Sequence, residues 1–151
     1  MSFCIRRGIP YGIARLGLLY GPGEGAYKKV IPEWIRMGLA GDPLTVLGTG
    51  NAIRQYLYID DAIRALLLLI DHQERGVVNV VGKTRVSMKA LASIIHEGTG
   101  NNAGISRSKL HQSREDHIVF DTTRLAALGF EERMSLREGL RREVDWFKKQ
   151  R

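Results

Sequence analysis

The chain has 151 residues, 44% of them hydrophobic, and a formal charge of +7 from 23 Lys+Arg against 16 Asp+Glu. That length suits one ordinary domain with a real core, the apolar content and lack of low-complexity tracts argue against disorder, and the single cysteine, Cys4, excludes a disulfide scaffold. The longest strongly apolar run, Ala65–Ile70, is far short of the ~20 residues of a membrane-spanning helix, and Pro10, Gly12 and Arg15 interrupt any signal-peptide core, so a soluble cytoplasmic protein is expected.

Strands and helices alternate along the chain. Ile13–Tyr20 is a mostly apolar run closing at Gly21-Pro22-Gly23, the pattern of a buried strand that ends in a turn. Pro32 suits the first turn of a helix that carries Trp34, Ile35 and Leu39 and stops at Gly41. Leu44–Leu47 reads as a short strand, followed by the Gly48-Thr49-Gly50 turn and a further strand, Gln55–Ile59. Asp60 is expected to cap a helix from Ala62 to about His72. Its apolar residues lie nearly all round, so it needs cover on several sides. Val77–Val81 has the composition of a strand buried on both faces.

Ser87 is placed to cap a helix with Met88, Leu91, Ala92 and Ile95 on one stripe. Gly98–Ser113 is the most polar stretch and is expected to be a mobile loop. Asp121 caps a short helix ending at Leu128-Gly129. Ser135 with Glu138 forms a capping box for a last helix, with Leu136, Leu140, Val144 and Phe147 inward and Arg137, Arg141 and Lys148 outward.

The chemistry-bearing residues are sparse. His72, His96, His111 and His117 are scattered, with no Cys pair or His-Glu-x-x-His cluster, so no metal site is expected. Ser87 and Ser135 are explained by capping, and Cys4 has no paired base in the sequence. Gly48-Thr49-Gly50 starts like a dinucleotide fingerprint, but Ile53 replaces the third glycine and a strand follows. Gly21, Gly23 and Gly25 form no Walker loop, because no Gly-Lys-Ser/Thr comes after them.

An ordered series of motifs carries more information. Arg15-Leu-Gly-Leu-Leu-Tyr20-Gly21-Pro22-Gly23 precedes Val30-Ile31-Pro32-Glu-Trp-Ile35 and Pro43-Leu44-Thr-Val46. Gly48-x-Gly50-x-x-x-Arg54-x-Tyr56-x-Tyr58-Ile59-x-Asp61 follows, then Asn79-Val80, Val86-Ser87 with Leu91-Ala92, and Asp121 with Leu128-Gly129-Phe130 and Trp146. The series resembles the C-terminal part of the extended short-chain dehydrogenase/reductases, the NAD-dependent sugar-nucleotide epimerases and dehydratases. It covers about residues 8 to 148.

The resemblance implies an α/β fold: a substrate-binding portion with two strands that belong to the doubly wound parallel sheet of an N-terminal domain missing here. Residues 1–25 would be the last part of that dinucleotide-binding domain. Residues 26–151 would bind the sugar nucleotide and supply one further sheet strand at about 77–81. The two sheet strands are then expected to lack neighbours, leaving unpaired edges and an apolar face, or a docking surface for a separate chain.

Family chemistry uses a Gly-x-x-Gly-x-x-Gly turn for NAD(P) and a Tyr-x-x-x-Lys pair for proton transfer. Neither occurs here: four residues after Tyr11, Tyr20, Tyr27, Tyr56 and Tyr58 stand Arg15, Glu24, Ile31, Asp60 and Ala62. No catalytic residue is therefore assigned. The chain would begin just after the catalytic Lys, be inactive alone, and leave NAD or NADP to the missing domain.

By the resemblance, Arg54 contacts phosphate or ribose, with pairing to Asp60 or Asp61 as the competing role. Arg114 and Asp116 match a second contact, at a spacing one residue shorter than in the family, and could equally be a solvated charge cluster. The strand Thr45-Val46-Leu47 would flank the nucleoside base, although composition alone favours core packing for Val46. Tyr20, Gly21 and Pro22 would border the cofactor. Two departures leave the sugar open: Leu18 stands where most members have Asn, and Val78 where a Tyr is usual.

Two other readings are carried. One is a stand-alone nucleotide-sugar or polyphosphate binding module without catalysis. The other, ranked low, is a basic nucleic-acid-binding protein, for which the cations of the last helix make the one concentrated patch.

Overall fold

The computed structural model describes residues 2–108 and 117–150. Helix α1 (Ser2–Arg7) leads into β1 (Gly12–Leu16) and β2 (Leu18–Tyr20), and a 3-10 turn occupies Glu24–Ala26. Then come α2 (Val30–Ala40), β3 (Leu44–Leu47), β4 (Ile53–Tyr58), α3 (Ile59–Asp71) and β5 (Gly76–Val80). The remaining elements are β6 (Arg85–Ser87), α4 (Met88–Thr99), β7 (Ile105–Ser108), α5 (Thr123–Ala127) and α6 (Leu136–Lys149).

Parallel pairing dominates, as α/β alternation demands. β1 runs alongside β5, with Gly12 opposite Gly76 and Leu16 opposite Val80. β2 pairs parallel with β4, Leu18 opposite Tyr56 and Tyr20 opposite Tyr58, and β4 pairs antiparallel with β6. β3 lies parallel to β7.

The run 13–20 is therefore two strands. Between them Gly17 donates its N–H to the Val80 carbonyl at 3.0 Å, and the chain then passes from β5 to β4. A Cβ at Gly17 would lie 2.9 Å from Val81 Cγ2, so a side chain there would push the crossing off its neighbour. The expectation that the strands ending at Tyr20 and at 77–81 lack neighbours is corrected in part: β1 and β5 are each other's partners.

Two apolar clusters hold the fold. One joins α2, α4 and α6 to β2, β3 and β4 through Ile35, Leu44, Tyr56, Leu91, Ile95 and Leu140. The other packs α3 and α5 on β5 through Ala62, Ala65, Val78, Val80, Leu125 and Phe130. Each fully buried aliphatic side chain of this size contributes roughly 1.5–3 kcal/mol.

Helix ends follow the sequence with two changes. Ser87 Oγ accepts the Ala90 N–H and Ser135 Oγ accepts the Glu138 N–H, each at 3.2 Å. The Glu138 carboxylate turns to Arg141 and Arg142 rather than closing the box. α3 begins at Ile59 with Tyr58 as its N-cap, so Asp60 sits inside the first turn, where its charge still suits the helix dipole. Asp61 beside it is buried: it pairs with Arg64 at 2.5 Å and accepts the N–H groups of Arg133 (3.1 Å) and Met134 (3.0 Å).

Two further expectations are corrected. α3 is not covered all round, because Ile63, Leu67 and Ile70 form an exposed stripe. The polar stretch 98–113 is not all loop, since Ile105–Ser108 is a strand. Thr45 Oγ1 and Ser106 Oγ lie 3.1 Å apart across it, a polar cross-strand pair that hydropathy does not flag. Among the described residues no helix is long and apolar enough to cross a membrane, and no group of His, Cys, Asp and Glu is placed to hold a metal ion.

Candidate functional site

A cleft of about 920 Å³ opens between β2, the start of α2, and the facing strands β3 and β4. The β3 pleat decides which residues reach it. Thr45 and Leu47 line the cleft, whereas Val46 is 2% exposed and belongs to the core. The Trp34 ring is fixed beside it by Nε1, which donates to the Thr45 carbonyl at 3.1 Å. Met88 and Ala52 add apolar wall, joined through the Met88 N–H on the Ala52 carbonyl at 3.1 Å. The Gly48–Gly50 turn is structural: a Cβ at Gly50, whose φ is 72°, would press to 2.8 Å from Val46.

Three cations line the cleft: Lys28, Lys29 and Arg54. Lys29 is the N-cap of α2, no side chain caps that helix, and Val30 and Ile31 face the cleft. The positive end of the α2 dipole and two lysines thus meet at one wall, where the carboxylates of Glu24 and of Glu33, in the first turn of α2, also line the cleft. Lys29 Nζ contacts Glu24 Oε1 at 2.6 Å, so it is partly neutralised within the chain.

Arg54 projects from β4, half-buried, with Nη1 donating to the Ile53 carbonyl at 2.9 Å. Its charge acts on Tyr56: burial pushes that phenol up to about 12, with Arg54 pulling the other way. The Asp61 carboxylate is engaged by Arg64 and two backbone N–H groups.

Leu47 is 53% exposed on the cleft wall. Tyr20 is buried beneath α6, its hydroxyl 3.5 Å from the Leu136 carbonyl and its ring edge-on to Tyr56 and Tyr58, so the side chain is core. Gly21 is buried at φ 142°, and Pro22 is exposed in the same turn. Arg114 and Asp116 lie outside the described residues. Thr45 and Leu47 line the cleft as the motif placed them, whereas Lys28, Lys29, Trp34 and Met88 were not anticipated as lining residues.

The residues present do not fit a dinucleotide. Among the described residues, no helix of eight residues or more is entered from a glycine-rich turn. Gly21–Gly23 leads into the 3-10 turn and Gly48–Gly50 into β4. Burial raises the hydroxyls of Tyr20 and Tyr58 as well as Tyr56, which keeps all three protonated near neutral pH. The cations of α6 are largely paired: Arg137 with Glu97 (2.6 Å), and Arg141 (2.8 Å) and Arg142 (3.1 Å) with Glu138. That arrangement is a solvated helix face laced with ion pairs.

Parallel strand pairs, an uncapped helix end and three cations around one cleft describe an α/β protein. Comparison with known proteins gives the family. Residues 3–82 match the model of the NAD dependent epimerase/dehydratase family, to which the chain belongs. It is 30% identical, over 94% of its length, to UDP-N-acetyl-alpha-D-glucosaminuronate decarboxylase of Bacillus cytotoxicus, and covers 47% of that protein. It superposes with a TM-score of 0.87 on UDP-glucose 4-epimerase of Thermotoga maritima, solved with UDP-glucose, at 27% identity over 99% of this chain and 49% of that one. UDP-glucuronic acid 4-epimerase of Bacillus cereus, solved with UDP-glucuronic acid and NAD, gives 0.84 at 25% identity over 99% and 49%. The fold is thus part of an extended short-chain dehydrogenase/reductase, and the chain spans about half the length of these structures. Members of the family bind NAD, and the family implies NAD or NADP as cofactor.

Proposed function

We propose that the 920 Å³ cleft binds the nucleoside diphosphate portion of a sugar nucleotide. The observation that carries this is that Arg54 from β4 and Lys28, Lys29 and the uncapped α2 terminus border the same cleft. A pyrophosphate carries about two negative charges, and an arginine held by flanking structure can engage it bidentately. Leu47, Thr45 and the fixed Trp34 ring supply a flat, mixed surface for the base and ribose. Solved relatives carry UDP-glucose or UDP-glucuronic acid, which makes UDP the first nucleotide to try.

The parent reaction we infer is NAD(P)-dependent isomerisation or dehydration of a nucleotide-linked sugar. Oxidation and reduction at the sugar then depend on a dinucleotide-binding half, with residues 1–25 as its edge and residues 26–151 as the substrate side. The exposed Ile63, Leu67 and Ile70 are the surface on which such a half, in the same polypeptide or a separate one, would seat. Without it the chain binds and does not turn over.

Isothermal calorimetry of the chain with UDP, NAD and a short DNA duplex tests the reading. Binding of UDP without NAD is expected. Turnover of a UDP-hexose by the chain alone, or salt-sensitive DNA binding without UDP binding, would contradict it.

A further inference from the structure

The cleft does not stop at Arg54. A chamber of about 250 Å³ opens beyond it and shares Leu16, Gly17, Leu18 and Arg54 with the main cleft. Gln55, Ile118 and Phe120 complete its wall. Leu16 is 49% exposed, Leu18 44%, Ile118 45% and Phe120 40%, so hydrocarbon faces water on opposite sides of one small space. Gln55 is buried and already engaged. Its Oε1 accepts the Phe120 N–H and its Nε2 donates to the Gly82 carbonyl, each at 2.8 Å. Among the described residues, Arg54 is the one charged side chain of this wall.

The two regions differ in chemistry. The main cleft gathers the lysines, Thr45 and the start of α2, whereas the chamber is lined by leucine, isoleucine and phenylalanine. A ligand whose phosphate sits at Arg54 can extend one end into each. A hydroxyl entering the chamber would exchange part of its water for hydrocarbon wherever it points away from Arg54, while a methyl group would gain from contact with Leu16, Leu18, Ile118 and Phe120.

We propose that the chamber takes a methyl-bearing substituent on the sugar of the bound nucleotide, and that Leu16, Leu18, Ile118 and Phe120 set this preference. The proposal rests on the reading of the main cleft as the nucleotide site. Two sources share the chemistry: the C6 methyl of a 6-deoxy sugar and the methyl of an N-acetyl group.

Calorimetry on the whole chain with UDP, UDP-glucose, UDP-6-deoxyglucose and UDP-N-acetylglucosamine separates the possibilities. At least one methyl-bearing ligand should bind roughly tenfold tighter than UDP-glucose. The one that gains identifies the source. Leu18→Asn and, independently, Ile118→Ser should bring that ratio close to one. Equal binding of all three sugar nucleotides, with UDP binding intact, would remove the chamber assignment and leave the nucleotide site standing. A ratio that persists in both variants would also remove it. Failure of UDP itself to bind would overturn the nucleotide reading and the chamber assignment together.

Discussion

The Gln55 side-chain oxygen accepts the backbone N–H of Phe120 at 2.8 Å, tying β4 to a segment 65 positions later. The same amide donates to the Gly82 carbonyl, so one buried side chain sets three parts of the chain beside Arg54. Gln55→Leu would strand a backbone donor and an acceptor. A loss of about 2–4 kcal/mol is expected by urea denaturation. A loss below about 0.5 kcal/mol would mean the clasp contributes nothing.

Asp61 performs a comparable task for α6. Its carboxylate holds the Arg133 and Met134 N–H groups just ahead of that helix and pairs with Arg64 from within α3. Asp61→Ala removes all three partners at a buried position and should cost about 3 kcal/mol. Asp61→Asn keeps an acceptor and should cost less. Equal losses in the two variants would count against the hydrogen-bond account.

Gly139 marks where α6 lies on the tyrosines. A Cβ there would fall 2.3 Å from the Tyr20 hydroxyl and 2.9 Å from the Tyr58 ring. Gly139→Ala gains helix propensity of about 1 kcal/mol but overpacks the contact, so a net loss of about 1–3 kcal/mol is expected in thermal or chemical unfolding. Net stabilisation would show that the α6 contact is looser than described.

Glu143 introduces a pH dependence. Its side chain is fully buried on α6, and neither carboxylate oxygen has a hydrogen-bond partner, although the Gly21 N–H faces it. Burial first, then the Glu24 carboxylate, push its carboxyl up to about 8, against the pull of Lys29. The folded state therefore holds this proton more tightly than the unfolded state. The associated stability is complete below the ordinary carboxyl range and is lost as pH rises towards 8, with a slope of at most about 1.4 kcal/mol per pH unit. Glu143→Gln should flatten this part of the profile and be the more stable protein at pH 8. Parallel profiles between pH 5 and 8 would show that Glu143 does not carry the dependence.

Much of the fold was legible because apolar runs, caps and glycine stops agree with one another. The α2 helix ending at Gly41 and the Ser87 and Ser135 caps are local facts of the chain. What was hidden is non-local. Nothing in Ile13–Tyr20 announces that Gly17 hands the strand from one partner to another, because that depends on Val81 lying against it. β7 was hidden because its polar side chains are matched by a partner 61 positions away. Glu143 lies on the same helical stripe as Leu136, Leu140 and Phe147, but a carboxylate at that position gives no sign of full burial until α6 is docked on the strands. The site was half legible: Arg54 and Leu47 were found by motif, whereas Lys28 and Lys29 were passed over. A physical signal existed for them, since two lysines directly ahead of a helix start oppose its dipole unless an anion is drawn there.

The central claim is that the nucleotide sits against Arg54, β3 and the start of α2. Backbone amide shift mapping by nuclear magnetic resonance during titration with UDP tests it most directly. Shifts concentrated at Val30, Ile31, Thr45, Leu47 and Arg54 are expected, and they should vanish in Arg54→Ala. Shifts gathered instead around Tyr11, Leu66 and Gln73, or none at saturating UDP, would contradict the account.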